Sequence, residues 1–212
     1  MRIKIIVLLT VLISVFTVNA QNARTILDNA NKAYNSSGVI TASFTINTED
    51  VKAKTIYSQD GKAYLKGDKF KIDAVDGITW FDGKTQWVYV KGSDEVNISE
   101  PTGEELASVS PAILLNMYKS GFKLNYKGEK KNGGKTVYMV ELVPESKKSE
   151  FSKMYVNIDK ATNLFTSIQM FGKNGMNNHL IIKSMQTRTN LTDNTFVFNK
   201  KDYPKAEIID LR

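Results

Sequence analysis

The feature that most constrains this chain is a series of short extended segments between residues 62 and 98, separated by sharp turns. Glycine follows aspartate at Asp76-Gly77 and Asp82-Gly83, a pair that favours tight hairpin turns because glycine tolerates the positive φ that they require. Apolar and polar residues alternate within the segments, which gives each strand one apolar and one solvated face. The pattern predicts an antiparallel meander with its aromatic residues concentrated on one face. The predicted strands are Lys62–Leu65, Phe70–Ala74, Ile78–Phe81, Thr85–Val90 and Glu95–Ile98.

The first twenty residues have the composition of a secretory signal peptide. Arg2 and Lys4 precede an apolar run over residues 5–16, and small residues end the segment at Ala20. The run is too short for an ordinary membrane span, and no later window qualifies as one. We therefore expect cleavage after Ala20 and a single mature domain at residues 21–212. The chain contains no cysteine, which excludes lipid attachment, disulfides and thiolate chemistry. The expected product is a soluble monomer of the bacterial periplasm.

The charge balance is basic but diffuse. The net charge of +7 falls to +5 once Arg2 and Lys4 are removed with the signal. Lysine pairs such as Lys130-Lys131 lie beside predicted turns, where solvated loops explain them. Weak attraction to an anionic membrane surface or an acidic partner is the alternative. Nucleic acid is not an expected partner because the signal peptide directs export.

The remaining periodicity extends the sheet and adds helices. Apolar residues recur at helical spacing over residues 23–35, and Gly38 follows them. Thr102 is a candidate helix N-cap with glutamate three residues later. A further helix, apolar on most of its surface, is predicted from Pro111 to Tyr118. The other segments from 39 to 199 read as strands, among them Val51–Ser58, which a turn at residues 59–61 would end, and Thr195–Asn199. Such a sheet should curl, with about three short helices over its face. The predicted fold is a mostly β, unclosed antiparallel barrel with an α lid.

Catalytic chemistry is nearly absent from the sequence. His179 is the only histidine, and without cysteine it cannot complete the usual zinc ligand set. No Gly-x-Ser-x-Gly motif accompanies it. The acidic pair Glu104-Glu105 falls at a predicted helix N-terminus, where the helix dipole explains it. We predict no enzyme activity, no metal site and no cofactor.

Apolar residues carry the positive signal. Six methionines follow the signal segment, and aromatic residues make up 10% of the chain. Methionine adapts to variable contacts, which suits a cavity for flexible hydrocarbon. An ordinary core is the alternative. A large curled sheet favours the cavity, since short helices cannot fill its apolar face.

Three segments resemble the LolA-like outer-membrane lipoprotein carriers, in a version similar to Bacteroidetes-type members. They are Gly38–Thr45 (GVITASFT), Gly61–Phe70 (GKAYLKGDKF) and Trp80–Tyr89 (WFDGKTQWVY). The order of signal segment, N-terminal helix, strand and hairpin is similar as well.

The resemblance implies a half-barrel whose helices cover a hydrophobic cavity. It also implies a shuttle that takes a lipoprotein by its acyl chains from an inner-membrane ABC exporter to an outer-membrane acceptor. The cavity wall and lid residues that we predict on this basis are Phe44, Phe70, Ile72, Trp80, Trp87, Tyr89, Ile113, Leu114, Met117, Met139, Met154 and Met170.

The chain departs from the family pattern at one turn. Gly67 stands where family members place an arginine that bonds the lid, which leaves Lys66 or Lys69 as substitutes. The alternative function is an envelope sensor of the RseB kind that binds lipid or lipoprotein and a regulatory partner. A hydrolase is a third and weaker hypothesis.

Overall fold

The computed structural model describes residue 20, residues 22–101, residue 106, residues 114 and 115, and residues 117–212. Within them, helix α1 spans residues 22–36, and two short 3-10 helices span Asp193–Phe196 and Lys200–Asp202. The strands are β1 (Val39–Asp50), β2 (Thr55–Lys66), β3 (Lys69–Ala74), β4 (Gly77–Phe81), β5 (Gln86–Val90), β6 (Glu95–Ser99), β7 (Phe122–Asn132), β8 (Lys135–Pro144), β9 (Phe151–Asp159), β10 (Phe165–Gly172), β11 (Met176–Thr187) and β12 (Glu207–Asp210).

All twelve strands belong to one sheet, in the order β12-β6-β5-β4-β3-β2-β1-β11-β10-β9-β8-β7. Every pair is antiparallel except β12 with β6, which is parallel. The long pairing of β1 with β11 joins the front of the chain to its later half. Among the residues described, the edge strands β7 and β12 do not pair with each other, so the sheet is unclosed. The predicted mostly β, open architecture is confirmed.

Helix α1 packs across one face of the sheet, which we call the inner face. Ile26, Leu27, Ala30 and Tyr34 recur at helical spacing and are buried there. The inward residues of the strands alternate with outward ones, as the two-residue period of a strand requires. The core therefore lies between α1 and the inner face.

Two predictions about strands are wrong, and one strand is missing from the prediction. The turn predicted at Gln59-Asp60-Gly61 does not exist, because β2 runs straight through it and the hairpin turns instead at residues 51–54. Gly61 serves close packing instead of a turn. The strand predicted at Thr195–Asn199 is replaced by the 3-10 helix Asp193–Phe196, whose Phe196 is fully buried. Strand β12 was not predicted at all.

The predicted number of helices is not confirmed. The first helix is present, but Thr102 and Pro111 lie outside the described residues. Leu106, Leu114 and Met117 are helical where the structure describes them. No helix within the described part of the chain is long and apolar enough to cross a membrane. The predicted signal peptide is residues 1–20, and all of it except Ala20 lies outside the described residues.

Candidate ligand-binding cavity

A cavity of about 220 Å³ lies between helix α1 and the inner face of strands β1, β2, β3, β10 and β11. Its walls are apolar apart from two side chains. The lining residues are Tyr34, Ala42, Phe44, Ile46, Gln59, Ala63, Leu65, Ile72, Ala74, Met170, Leu180, Ile182 and Met185.

Small residues on adjacent strands make the space. Ala42 on β1 is directly opposite Ala63 on β2, and Gly61 on β2 is opposite Ala74 on β3. Directly opposed residues on one face have their Cβ atoms about 5 Å apart, so small side chains at these positions leave a hollow. Larger residues such as Phe44 and Ile72 form its sides.

Two polar atoms in the cavity wall lack hydrogen-bond partners among the described residues. They are the Tyr34 hydroxyl and the side-chain oxygen Oε1 of Gln59, and both are buried. Burial raises the pKa of the Tyr34 hydroxyl. The backbone of Phe165 lies close enough to the hydroxyl to oppose that shift in part, although no contact of the hydroxyl meets the distance and angle limits of a hydrogen bond.

Polar contacts fasten the segment around residues 114–119 to helix α1. Asn31 donates from Nδ2 to the backbone oxygen of Leu115 at 2.8 Å. The Tyr118 hydroxyl donates to Asp28 Oδ1, and Tyr118 is 1% exposed. Burial and the Asp28 carboxylate both raise the pKa of Tyr118. Because Leu114 and Leu115 belong to the same core as α1, this segment covers one end of the inner face.

Within the described residues, Lys66 and Lys69 bond the C-terminal segment and not the segment that covers the inner face. Both lysines bond Asp193, each at 2.6 Å, and so tie the β2–β3 turn to the C-terminal segment. Gly67 has φ +57°, a conformation that a β-carbon disfavours. The contacts of Asn31 and Tyr118 hold the covering segment instead.

The structure brings only part of the predicted wall to the cavity. Phe44, Ile72 and Met170 line it. Phe70, Leu114 and Met154 are buried in the adjoining core, with Met117 partly buried against it. Phe70 stacks on Phe81, with ring centroids 5.2 Å apart.

Four predicted residues lie on the opposite face, which we call the outer face. Trp80 and Trp87 are paired across β4 and β5, out of phase with the inward Phe81. Trp80 packs edge-on against Phe198 and Tyr203, and Tyr89 packs against Tyr203. Met139 alternates with the core residue Val140 and so also faces outward. The sheet therefore carries aromatic residues on both faces and not, as predicted, on one. Ile113 lies outside the described residues.

Sequence reasoning missed the residues that create the space. Ala42, Ala63 and Ala74 are inconspicuous in composition, although alanines at inward positions of neighbouring strands signal a gap once the register is known. Helical spacing marks Tyr34 as one more apolar position of α1 and gives no sign of a role for its hydroxyl. The predicted turn at residues 59–61 hides the inward position of Gln59.

The described residues contain no group of three or more His, Cys, Asp or Glu side chains placed to hold a metal ion. His179 is half-buried on β11, where burial and Lys130 lower its pKa. It is paired in the sheet with Asn47 and Gln169. The absence of enzyme activity stays a prediction.

An open antiparallel sheet with a helix across an apolar hollow defines the class of half-barrel binding proteins. The family model for the outer membrane lipoprotein carrier protein LolA matches residues 13–175. The chain therefore belongs to the LolA family.

Solved structures share this fold. An uncharacterized conserved protein from Thermus thermophilus is 16% identical, with a TM-score of 0.61 over 89% of this chain and 99% of the other. A domain assigned to outer membrane lipoprotein sorting in Vibrio parahaemolyticus is 15% identical, with a TM-score of 0.50 over 88% of this chain and 100% of the other. At such identity the likeness concerns the fold alone.

One curated relative matches a shorter stretch. It is an uncharacterized protein, MJ0687, from Methanocaldococcus jannaschii, which is 29% identical over 112 residues. The match covers 52% of this chain and spans about a third (33%) of the length of that relative.

Proposed function

We propose that this protein is a periplasmic carrier that holds acyl chains of lipoproteins in the inner-face cavity and moves them from the inner to the outer membrane. The observation that carries the proposal is the apolar hollow under helix α1, in a member of the LolA family. An inner-membrane ABC exporter would load the carrier and an outer-membrane acceptor would unload it. The domain at residues 21–212 would follow a cleaved signal peptide.

The walls suit hydrocarbon. Leu65, Ile72, Leu180 and Ile182 offer branched surface, and Met170 adds an adaptable side chain. Each methylene moved from water into such a site contributes about 0.8 kcal/mol. A chain of several methylenes would thus bind without any charged group in the wall.

The cavity volume limits how much of an acyl chain the closed form can hold. Pockets for drug-sized ligands measure roughly 300–1,000 Å³, whereas this cavity measures about 220 Å³. The closed form suits part of a single chain. A lipoprotein with several chains would require the covering segment to move away from α1.

Filling the hollow tests the proposal. In Ala63→Phe the new ring would point into the cavity, opposite Ala42. We expect this variant to fold and to lose binding of a fluorescent fatty acid that lipoprotein displaces from the wild type. Ala53→Phe, on the exposed β1–β2 turn, is the matched control and should bind normally. Equal binding by both variants would contradict a ligand site in this cavity.

The sensor hypothesis predicts a different partner. Affinity purification from envelope extracts should then recover a transmembrane regulator and no lipoprotein. The carrier hypothesis predicts a lipoprotein whose recovery is lost in Ala63→Phe.

A further inference from the structure

Two buried polar atoms of the cavity wall make no hydrogen bond within the described residues. Tyr34 is 7% exposed and its hydroxyl has no hydrogen-bond partner there. A buried polar group left unpaired costs about 1–3 kcal/mol. A phenylalanine at position 34 would keep the helix contacts and the contact with Phe165, whose ring centroid is 5.6 Å away. The hydroxyl therefore makes no hydrogen bond that stabilises the described part of the fold.

Gln59 carries the other buried polar atom of the cavity wall that makes no hydrogen bond within the described residues. It is directly opposite Ile46 on β1 and is the polar member of an inward row that continues with Gly61, Ala63 and Leu65. Its Oε1 atom is buried and unpaired in the described structure. Gln59 is six residues from Leu65, or roughly 20 Å along the strand. The cavity thus has a hydrogen-bond acceptor at the end nearer the β1–β2 turn.

We propose that the Tyr34 hydroxyl and Gln59 Oε1 are the polar contacts of the bound lipid, and that the ligand class is an acyl ester or acyl amide instead of plain hydrocarbon. This inference rests on the proposed function and specifies its ligand. Tyr34 donates its hydrogen to the carbonyl oxygen of the acyl linkage. Gln59 accepts a hydrogen from an amide N–H or a hydroxyl of the ligand. An ester has no hydrogen to donate and can make only the first of these contacts, whereas an amide can make either.

The chemistry of each group fits its role. The phenol is neutral and can donate, since burial raises its pKa. The side-chain oxygen of glutamine only accepts. Neither group is charged, so neither would hold an ionised headgroup in this cavity.

Tyr34→Phe tests the donor. Binding of methyl decanoate and of dodecane, which has a similar length, is measured by displacement of a fluorescent fatty acid. We expect the variant to bind methyl decanoate about three- to tenfold more weakly than the wild type and dodecane equally well. Its urea unfolding midpoint should stay the same or rise. Tyr126→Phe, on the core side of β7 and outside the cavity lining, is the control and should change neither affinity.

Gln59→Leu tests the acceptor with N-methyldecanamide against methyl decanoate. We expect about a three- to tenfold loss for the amide and little change for the ester, which has no N–H to donate.

The outcomes separate the two proposals. If neither methyl decanoate nor dodecane binds the wild type, the cavity does not take acyl chains and the proposed function fails. If both bind and Tyr34→Phe weakens them equally or not at all, the polar contact is wrong while the carrier proposal stands. A lower unfolding midpoint in Tyr34→Phe would also contradict the polar contact, because the hydroxyl would then stabilise the fold.

Discussion

The ring of Phe44 lies against the bare backbone of Gly61 on the neighbouring strand. A β-carbon at position 61 would come within 2.4 Å of Phe44 Cζ and 2.9 Å of the backbone oxygen of Asp73. The two residues are directly paired between β1 and β2. Glycine at position 61 therefore makes room for an aromatic ring in the cavity wall.

Gly61→Ala should therefore destabilise the protein and distort the cavity. Overpacking of this kind costs typically 1–3 kcal/mol, measurable as a lower free energy of unfolding in urea. We expect Phe44→Leu to recover part of that loss in the double variant, since the smaller side chain vacates the position of the ring. Strict additivity of the two substitutions would show that Phe44 and Gly61 do not interact.

The location of the tryptophans gives a second prediction. Trp80 and Trp87 face away from the cavity, so a bound acyl chain should not touch either ring. A dibrominated fatty acid, which quenches tryptophan fluorescence on contact, should bind without quenching. The substitution Ile72→Trp places an indole ring in the cavity wall, and the bound brominated fatty acid should quench the fluorescence of that tryptophan. Strong quenching in the wild type would contradict the placement of the ligand on the inner face.

A third prediction concerns release of the segment that covers the inner face. Tyr118→Phe removes the hydrogen bond to Asp28, and hydrogen bonds to charged groups contribute about 1.5–3 kcal/mol. We expect faster exchange of a fluorescent fatty acid by about tenfold or more in stopped-flow measurements. Tyr126→Phe should exchange at the wild-type rate. Unchanged exchange in Tyr118→Phe would mean that this contact does not limit ligand access.

The C-terminal segment should respond to acid. Lys66 and Lys69 hold the pKa of Asp193 at about 2, below the ordinary value of about 3.9. The folded pKa is lowered, so the contribution of this link is present above about pH 4 and is lost as the pH falls toward 2. NMR titration should show the lowered pKa of the Asp193 carboxyl. The backbone amide hydrogen of Phe196 should exchange with solvent faster in acid. The effect should weaken in salt because the groups are exposed. An ordinary Asp193 pKa would contradict the link.

The sequence was informative where periodicity and turns act locally. Alternation and Asp-Gly turns predicted the consecutive strands β3 to β6, and helical spacing predicted α1. The Gly61 error has a physical cause, because glycine also occurs where another group approaches closely. Which face of β4 and β5 points inward depends on long-range pairing, so Trp80 and Phe81 could not be assigned from alternation alone. The parallel strand β12 depends on a distant partner, β6, and left no local signal.

The cavity was predictable as a type of feature but not in its details. Family resemblance and apolar composition indicated a hollow, and Phe44, Ile72 and Met170 do line it. The alanines that open it, and the polar atoms of Tyr34 and Gln59, are visible only once the strands are in register.

Native mass spectrometry of the protein taken from periplasm, beside Ala63→Phe prepared in the same way, tests the central claim most directly. The account predicts that part of the wild-type population carries the additional mass of a lipidated polypeptide and that the filled variant carries none. Wild-type protein found only at its own mass, or the same adduct on both proteins, would contradict a carrier that holds acyl chains in this cavity.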